Sequence, residues 1–341
     1  MSRPTHLAVT VARRPVAIPQ AHDFALSTVT LPDLAEGQIH VRNHYLSVDP
    51  AMRGWLSDAK GYADRIEIGD VMRAFAVGVV VRSRAPAFHE GDRVMGLFGW
   101  QEQAIVAPDA VMLRINADAP RLSPYLGVLG LNGITAYFGT TDVCRVQRGD
   151  TVIVSTAAGA VGSCVGQITK RLGGRTIGIA GGREKQRQCI DEFGYDAAID
   201  YRSEADLDAA IARCCPNGVD VYFDNTSGGI SDSVLRHIRI GARIAICGTA
   251  AIESWNPWPL GERPNRHLLI KRATMRGFLA TDYRDRYAEA VETLSAWVDD
   301  GSLRYREDVL DGIEAAPGSI AHLYAGKNTG KLLIRLSAAE D

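Results

Sequence analysis

Two textures of apolar and polar positions divide the chain. Over 38–114, short apolar runs at 39–41, 76–81, 93–97 and 103–106 are broken by turn signals such as Glu90-Gly91-Asp92 and Pro108-Asp109. Runs of that length between glycine and proline breaks predict β-strands, and their spacing predicts a compact barrel or sandwich. After Pro120 the pattern changes. Continuous apolar runs at 151–155, 175–180, 197–200, 220–225 and 243–247 alternate with stretches of helical character at 160–172, 184–193, 206–214 and 230–238. Strands that are apolar on both faces, each followed by a helix, predict a doubly wound parallel sheet. The C-terminal stretch is irregular again, with a strand-like 331–336 placed to return to the first domain.

A length of 341 residues suits two domains at roughly 100–200 residues each, both large enough for a core. Lys+Arg 38 against Asp+Glu 40 gives a net charge of -2, so charge offers no case for nucleic acid or an anionic membrane surface. The apolar runs fall far short of a membrane span, and Arg13 and Arg14 break any signal-peptide core, which makes the cytoplasm the expected compartment. None of the six cysteines precedes Cys144 and no two form a Cys-x-x-Cys pair, so a four-ligand structural zinc is not expected. The adjacent Cys214 and Cys215 point in different directions on a helix and are expected to be inert. Basic charge is carried almost wholly by arginine. The six lysines are Lys60, Lys170, Lys185, Lys271, Lys327 and Lys331, a scarcity that gives Lys185 weight.

The run 151–155 leads into Ala157-Ala158-Gly159-Ala160-Val161-Gly162 and then an amphipathic helix. This is the strand–turn–helix fingerprint of dinucleotide binding, with alanine in its first place. Gly159 lets the backbone approach a pyrophosphate, Gly162 lets helix pack on strand, and the unpaired amides of the helix N-terminus face the anion. An NAD-type site carries an acid about twenty residues further on, for the ribose hydroxyls. Here the chain reads Ala180-Gly181-Gly182-Arg183-Glu184-Lys185, uncharged at the strand end with two basic residues behind it. A basic group there neutralises a 2′-phosphate and supplies donors, so Lys185 points to NADPH. The alternative is a solvated helix residue paired with a neighbouring acid. Glu184 argues against NADPH, yet it suits the first turn of the next helix.

Longer motifs run nearly end to end: Tyr45-Leu-Ser-Val-Asp-Pro-Ala-Met-Arg53, Leu129-Gly-Leu-Asn-Gly-Ile-Thr-Ala-Tyr-Phe138, the stretch 157–166, Gly178-Ile-Ala-Gly-Gly-Arg-Glu-Lys185, Asp220-Val-Tyr-Phe-Asp-Asn225, Arg276-Gly-Phe278 and Gly326-Lys-Asn-Thr-Gly-Lys-Leu-Leu-Ile334. With them the chain resembles the zinc-independent branch of the medium-chain dehydrogenases/reductases. The likeness is to its leukotriene/prostaglandin reductase and alkenal double-bond reductase group, which includes curcumin reductase. The resemblance implies an α/β chain with a GroES-like β-rich catalytic domain over 1–126 and 300–341 and a Rossmann domain over 127–299. It implies NADPH-dependent reduction of the C=C bond of α,β-unsaturated aldehydes and ketones, with hydride passing to the β-carbon and no metal. It also implies a homodimer joined through Rossmann sheet edges near 274–278.

Carried over by position, Lys185 and Tyr201 meet the 2′-phosphate end and Asn225 the ribose–pyrophosphate region. Cys247, Gly248, Thr249, Phe278, Leu279, Ala280 and Asn328 then line the nicotinamide side. Bland alternatives stand beside these: Tyr201 as a surface turn aromatic, Phe278 as a core residue, Asn328 as a helix or turn cap. Zinc-dependent relatives hold their metal with Cys and His or Glu. Here 46–53 has no cysteine and Gly69-Asp-Val-Met-Arg73 stands where Gly-His-Glu would, so a Lewis-acid zinc lacks its ligands.

The match also breaks in places. Several relatives carry a tyrosine, within Ser-x-Tyr-Asn, after the fifth Rossmann strand; in the stretch 247–259 Trp255 replaces it, and an indole donates a hydrogen bond but is no phenolic acid. Tyr45 is the alternative catalytic donor, against a packing role in the barrel. Ala51 stands where the family often has an aromatic, beside Met52 and Arg53, and Asn132 brings an amide to the crevice. These four and Trp255 are the expected substrate-pocket residues. Trp55, Trp100, Trp255 and Trp258 are candidates for a flat apolar wall, which suits a bulkier, aromatic substrate, although each alone also suits a core or interface. Two other readings stay open: an NADPH quinone reductase of the same superfamily, and a non-catalytic NADPH-binding scaffold.

Overall fold

Alternate residues of Phe24–Thr30 (β2) face solvent, the period of two that a ribbon with one buried face requires. It pairs antiparallel with Thr5–Val11 (β1), from Thr5 opposite Thr30 to Val11 opposite Phe24. The computed structural model describes residues 4–59, 61–252, 254–255 and 257–336. Next come β3 (Ile39–Ser47), a short α1 (Ala51–Trp55), β4 (Phe75–Ser83), β5 (Arg93–Leu97), β6 (Gln103–Val106) and β7 (Val111–Ile115). β3 to β6 fall on the four predicted apolar runs, with β3 and β4 longer than the runs themselves, whereas β1, β2 and β7 lie outside them.

After α2 (Leu131–Phe138) strands and helices alternate: β8 (Thr151–Ser155), α3 (Ala160–Arg171), β9 (Arg175–Ala180), α4 (Arg183–Asp191), β10 (Ala197–Asp200), α5 (Leu207–Cys214), β11 (Val219–Asp224), α6 (Gly228–Arg236), β12 (Ile238–Ile246), α7 (Asn265–Lys271), β13 (Thr274–Gly277) and α8 (Tyr287–Asp299). The six strands form one parallel sheet in the order β10-β9-β8-β11-β12-β13. Ile153, Ile177, Ile179 and Ile199 pack on Ile211 and Val234 of the helices. Each such side chain, once buried, contributes about 1.5–3 kcal/mol. One expectation needs correcting. The helix predicted to 238 ends at Arg236, and β12 begins at Ile238, five residues before the predicted strand. Its pairing with β11 slips between Val219 and Val221, where Gly241 takes φ +78° and Ile240 points outward, so the apolar run is broken while the strand continues.

The chain then gives β14 (Glu307–Asp311), α9 (Ala316–Tyr324) and β15 (Lys331–Arg335). These join the early strands in a seven-stranded sheet ordered β14-β15-β3-β4-β5-β7, with β6 also on β3. Strand β3 takes three partners: β4 along one side, and on the other β6 at residues 39–42 and β15 at 45–47. Ile39, Leu46, Met52, Trp100, Leu332 and Ile334 share the core that results. The chain thus divides into one unit of 1–130 with 307–341 and a second of 131–306. Residues up to 306 stay with the parallel sheet because the Gln167 amide on α3 bonds both the carbonyl (2.8 Å) and the N–H (2.7 Å) of Arg304. Among the described residues no helix is long and apolar enough to cross a membrane.

Gly166, one turn beyond the fingerprint, packs against Tyr195. A β-carbon there would lie 2.3 Å from the buried ring, whose hydroxyl donates to the Gly162 carbonyl at 2.6 Å. Gly166→Ala should therefore lose about 1–3 kcal/mol by overpacking, more than the roughly 1 kcal/mol that alanine adds to a helix. Urea unfolding reads this out, and a variant as stable as the parent would mean the ring yields freely.

Candidate active site

In an open parallel sheet a ligand lies beyond the C-terminal strand ends, where the strand order reverses. Here that place is between β8 and β11: the chain runs outward from β8 through β9 and β10, then returns to β11 on the opposite side. Asn225 ties the two strand ends together. Its N–H donates to Ser155 Oγ at 2.8 Å and its Nδ2 to the Ser155 carbonyl at 2.7 Å. Past Ser155 the backbone turns through Thr156 at φ +53°, and Gly159 caps α3. The first helical bond runs from Ser163 to Gly159 at 2.9 Å, so the amides of Ala160, Val161 and Gly162 have no partner within the helix. Ala158 and Gly159 complete this cradle. A β-carbon on Gly162 would stand 2.3 Å from the Thr156 carbonyl oxygen. That glycine serves the contact of the helix with the turn leaving β8, rather than with the strand.

A second group of candidate residues gathers at the turn after β9. Asp200, the last residue of β10, accepts from the amides of Gly182 (2.7 Å) and Arg202 (3.1 Å). Burial raises its carboxyl, but these amides, Ser203 and the Arg202 charge outweigh it and hold it below the usual range. The carboxylate thereby draws residues 201–202 against the turn after β9: a β-carbon on Gly181 would meet Arg202 Nε at 2.9 Å and the Tyr201 hydroxyl at 3.1 Å. Lys185 is half-buried on α4, and Glu184 is exposed in that helix's first turn, as its sequence position suggests. Arg202 was not among the expected residues. Its only signal in the sequence is that it follows Tyr201, because the contact depends on how β10 ends.

Asp224 is the other residue that motif reading passes over. Buried at the end of β11, its Oδ1 accepts from Tyr222 Oη (3.0 Å) and from the amides of Thr226 (2.9 Å) and Ser227 (2.8 Å), and its Oδ2 from Ser231 Oγ (2.5 Å). Burial, with this charge beside it, pushes the Tyr222 phenol well above its ordinary value. The Asp224 carbonyl accepts from the amides of Cys247 (2.8 Å) and Gly248 (3.1 Å), and a β-carbon on Gly248 would meet the Asn225 carbonyl at 2.8 Å. Asn225, Cys247, Gly248 and Thr249 are thus gathered at the ends of β11 and β12. Leu279 and Ala280 are half-buried after β13. The Phe278 ring packs edge-on to Phe223, centroids 6.2 Å apart, and against Gly139, so it behaves as the core residue that was its alternative. Trp255 and Asn132 are half-buried, while Glu253 and Asn256 beside Trp255 lie outside the described residues.

In the first unit, Asn328 is buried and its Nδ2 donates to the Gly330 carbonyl at 2.7 Å, which leaves Oδ1 as an acceptor. Of the α1 residues, Ala51 is half-buried and Arg53 stands 5.7 Å from the Tyr324 ring centre, but Met52 has no exposed surface and belongs to the core. Tyr45 is buried in β3 opposite Arg335 of β15, which pairs with Asp311 at 2.6 Å; this is a packing position. Trp100 is fully enclosed, donating to the Ser47 carbonyl at 3.0 Å, and Trp55 is buried beside Phe75. Neither forms a substrate wall, and Trp258 is exposed.

Burial pushes the thiols of Cys144, Cys164, Cys189, Cys215 and Cys247 up to about 12, which keeps them protonated and poor as nucleophiles. Among the described residues no three His, Cys, Asp or Glu side chains are grouped to hold a metal ion.

Residues 8–113 match the family described as the N-terminal domain of oxidoreductase, and 160–296 that described as zinc-binding dehydrogenase. NADPH-dependent curcumin reductase of Escherichia coli is 38% identical over 96% of this chain and 96% of its own length. 2-alkenal reductase (NADP(+)-dependent) of Nicotiana tabacum is 38% identical over 94% of each chain. The crystal structure of CurA in complex with NADPH from Vibrio vulnificus superposes with a TM-score of 0.90 at 40% identity, covering 97% of this chain and 99% of that one. The chain belongs to the medium-chain dehydrogenases/reductases, in the zinc-independent group of alkenal and prostaglandin double-bond reductases that includes curcumin reductase.

Proposed function

We propose that this chain reduces the carbon–carbon double bond of α,β-unsaturated aldehydes and ketones with NADPH. The reading rests on the NADP-dependent oxidoreductases of its family and on one observation above all, the packing of Tyr201 and Arg202 against Gly181 in the turn after β9, two residues before the helix that carries Lys185. The residues present fit the cofactor. The unpaired amides of Ala160–Gly162 suit a pyrophosphate, no acid stands at the end of β9 to repel a 2′-phosphate, and Asn225 and Asn328 each keep an Oδ1 free of the bonds their amide nitrogens make. When bound, NADPH supplies the hydride that passes to the substrate's β-carbon.

The chain's own residues bind and orient. Cys247, Gly248, Thr249, Leu279, Ala280 and Asn328 take the nicotinamide side, and Ala51, Arg53, Asn132 and Trp255 the substrate side. Hydride addition builds negative charge on the carbonyl oxygen, where a hydrogen-bond donor lowers the barrier. The α-carbon then takes its proton from water. Tyr45 receives no step, because it is buried within β3 opposite Arg335.

We also propose a homodimer in which β13 joins its counterpart. It is the last strand of the parallel sheet, pairs only with β12 among the described residues, and three of its four residues are exposed. Light scattering should give twice the chain mass at micromolar concentration; a monomer mass would remove the proposal.

Two enzyme measurements follow. With NADPH absorbance as readout, an aryl enone should be turned over faster than a short alkenal, a simple ketone not at all, and a chelator should change nothing. Turnover of a benzoquinone alone would instead make the chain a quinone reductase, and binding of NADPH without any turnover a scaffold. Lys185→Ala and Arg202→Ala should each raise KM for NADPH by about 10-fold or more while leaving NADH unaffected, as expected for charge-assisted bonds to a phosphate. An equal effect on NADH would exclude these residues from the 2′-phosphate.

A further inference from the structure

Lys331 carries a charge in the interior: its side chain is 4% exposed, and the carboxylate it meets, Asp49, 13%. Nζ lies 2.5 Å from Asp49 Oδ1 and donates to the Val48 carbonyl at 3.1 Å. The lysine stem runs along Gly127, where a β-carbon would stand 3.4 Å from Lys331 Cγ. The other oxygen of Asp49 accepts the Ser47 hydroxyl, and the Val48 amide donates to the Leu332 carbonyl at 3.2 Å. One side chain thus joins the start of β15 to the turn between β3 and α1.

A buried ion pair is a poor source of stability, because desolvation offsets most of the attraction and an apolar pair of equal volume often does as well. It does impose direction, since donor and acceptor must meet at a fixed distance and angle. The two segments fixed here are those assigned above to cofactor and substrate. Asn328 precedes Lys331 in the same short turn, where Gly330 holds its amide at 2.7 Å and Asp308 accepts the Thr329 N–H at 3.2 Å. Asp49 leads directly into Ala51, Met52 and Arg53.

We infer that Lys331 is a positioning residue: through Asp49 and Val48 it sets Asn328 relative to the turn that carries Ala51 and Arg53, and so governs the hold on the nicotinamide. This rests on the assignment of Asn328 in the proposed function.

The test compares, by calorimetry, the binding of NADPH with that of 2′,5′-ADP, which has the 2′-phosphate but no nicotinamide. The double variant Lys331→Met/Asp49→Asn leaves no buried charge and keeps an acceptor for Ser47. It should unfold near the wild-type midpoint, bind NADPH about tenfold more weakly, and bind 2′,5′-ADP within about twofold of wild type. Its kcat on an enone should fall by about 10–100-fold, the effect of a small misplacement. Asn328→Ala alone should give the same split, and adding it to the double variant should cost less than about twofold more, as for residues acting in series.

Wild-type NADPH binding and kcat in the folded double variant would overturn the inference. So would an equal weakening of both ligands, which marks general loosening. Where the double variant does not fold, Lys331→Arg decides: its planar head cannot repeat both contacts, so the same split is expected, and wild-type binding would again overturn the inference. A wild-type chain that binds NADPH but reduces no enone removes the enone reading alone, and the binding measurements still decide on Lys331. One that binds NADPH no more tightly than 2′,5′-ADP removes the nicotinamide hold, and this inference with it.

Discussion

The backbone leaving β11 turns sharply, with Ser227 in the left-handed region at φ +58°, a conformation that costs a non-glycine residue on the order of 1 kcal/mol or more. The turn holds because the Asp224 carboxylate accepts two of its amides and two hydroxyls at once. A buried carboxylate is tolerated only when donors replace its water, and here they do. The same residue's carbonyl receives the chain leaving β12, so Asn225, Cys247 and Gly248 share one support. Without Asp224 the turns after β11 and β12 would lose the bonds that fix them.

The turn after β9 follows the same logic with a second acid. Asp200 stands close to where a ribose-binding carboxylate would act, yet two backbone amides occupy its oxygen. Its charge stabilises a turn, and the guanidinium of Arg202 lies 5.9 Å from the Tyr201 ring centre, beside Gly181.

Much of this was legible in the sequence because it rests on local pattern. Apolar runs on both faces gave β8 to β11 nearly residue for residue, and the fingerprint located α3 and its free amides. What escaped depends on partners far apart in the chain. Arg202 matters through Asp200 and Gly181, and Asp224 through a hydroxyl pair and a turn. Met52 and Trp100 are core rather than pocket, since their burial is decided by strands that pattern alone does not place. The segment around Trp255 stays the least legible, because a loop's course follows from no periodicity.

Strand β3 depends on partners from both ends of the sequence: β4 and β6 soon after it, and β15, whose Lys331 reaches back 282 residues to Asp49. The parallel sheet, by contrast, is built from one uninterrupted stretch, 131–306. On the ribosome the two units therefore mature in an order opposite to their start. The nucleotide-binding sheet has all its strands while the N-terminal half of the other unit still waits, with the edge of β3 open, for the last strand to be made. Long-range closure of this kind is slow and leaves an unpaired edge exposed meanwhile. During synthesis, the sheet that is begun first is the last to close.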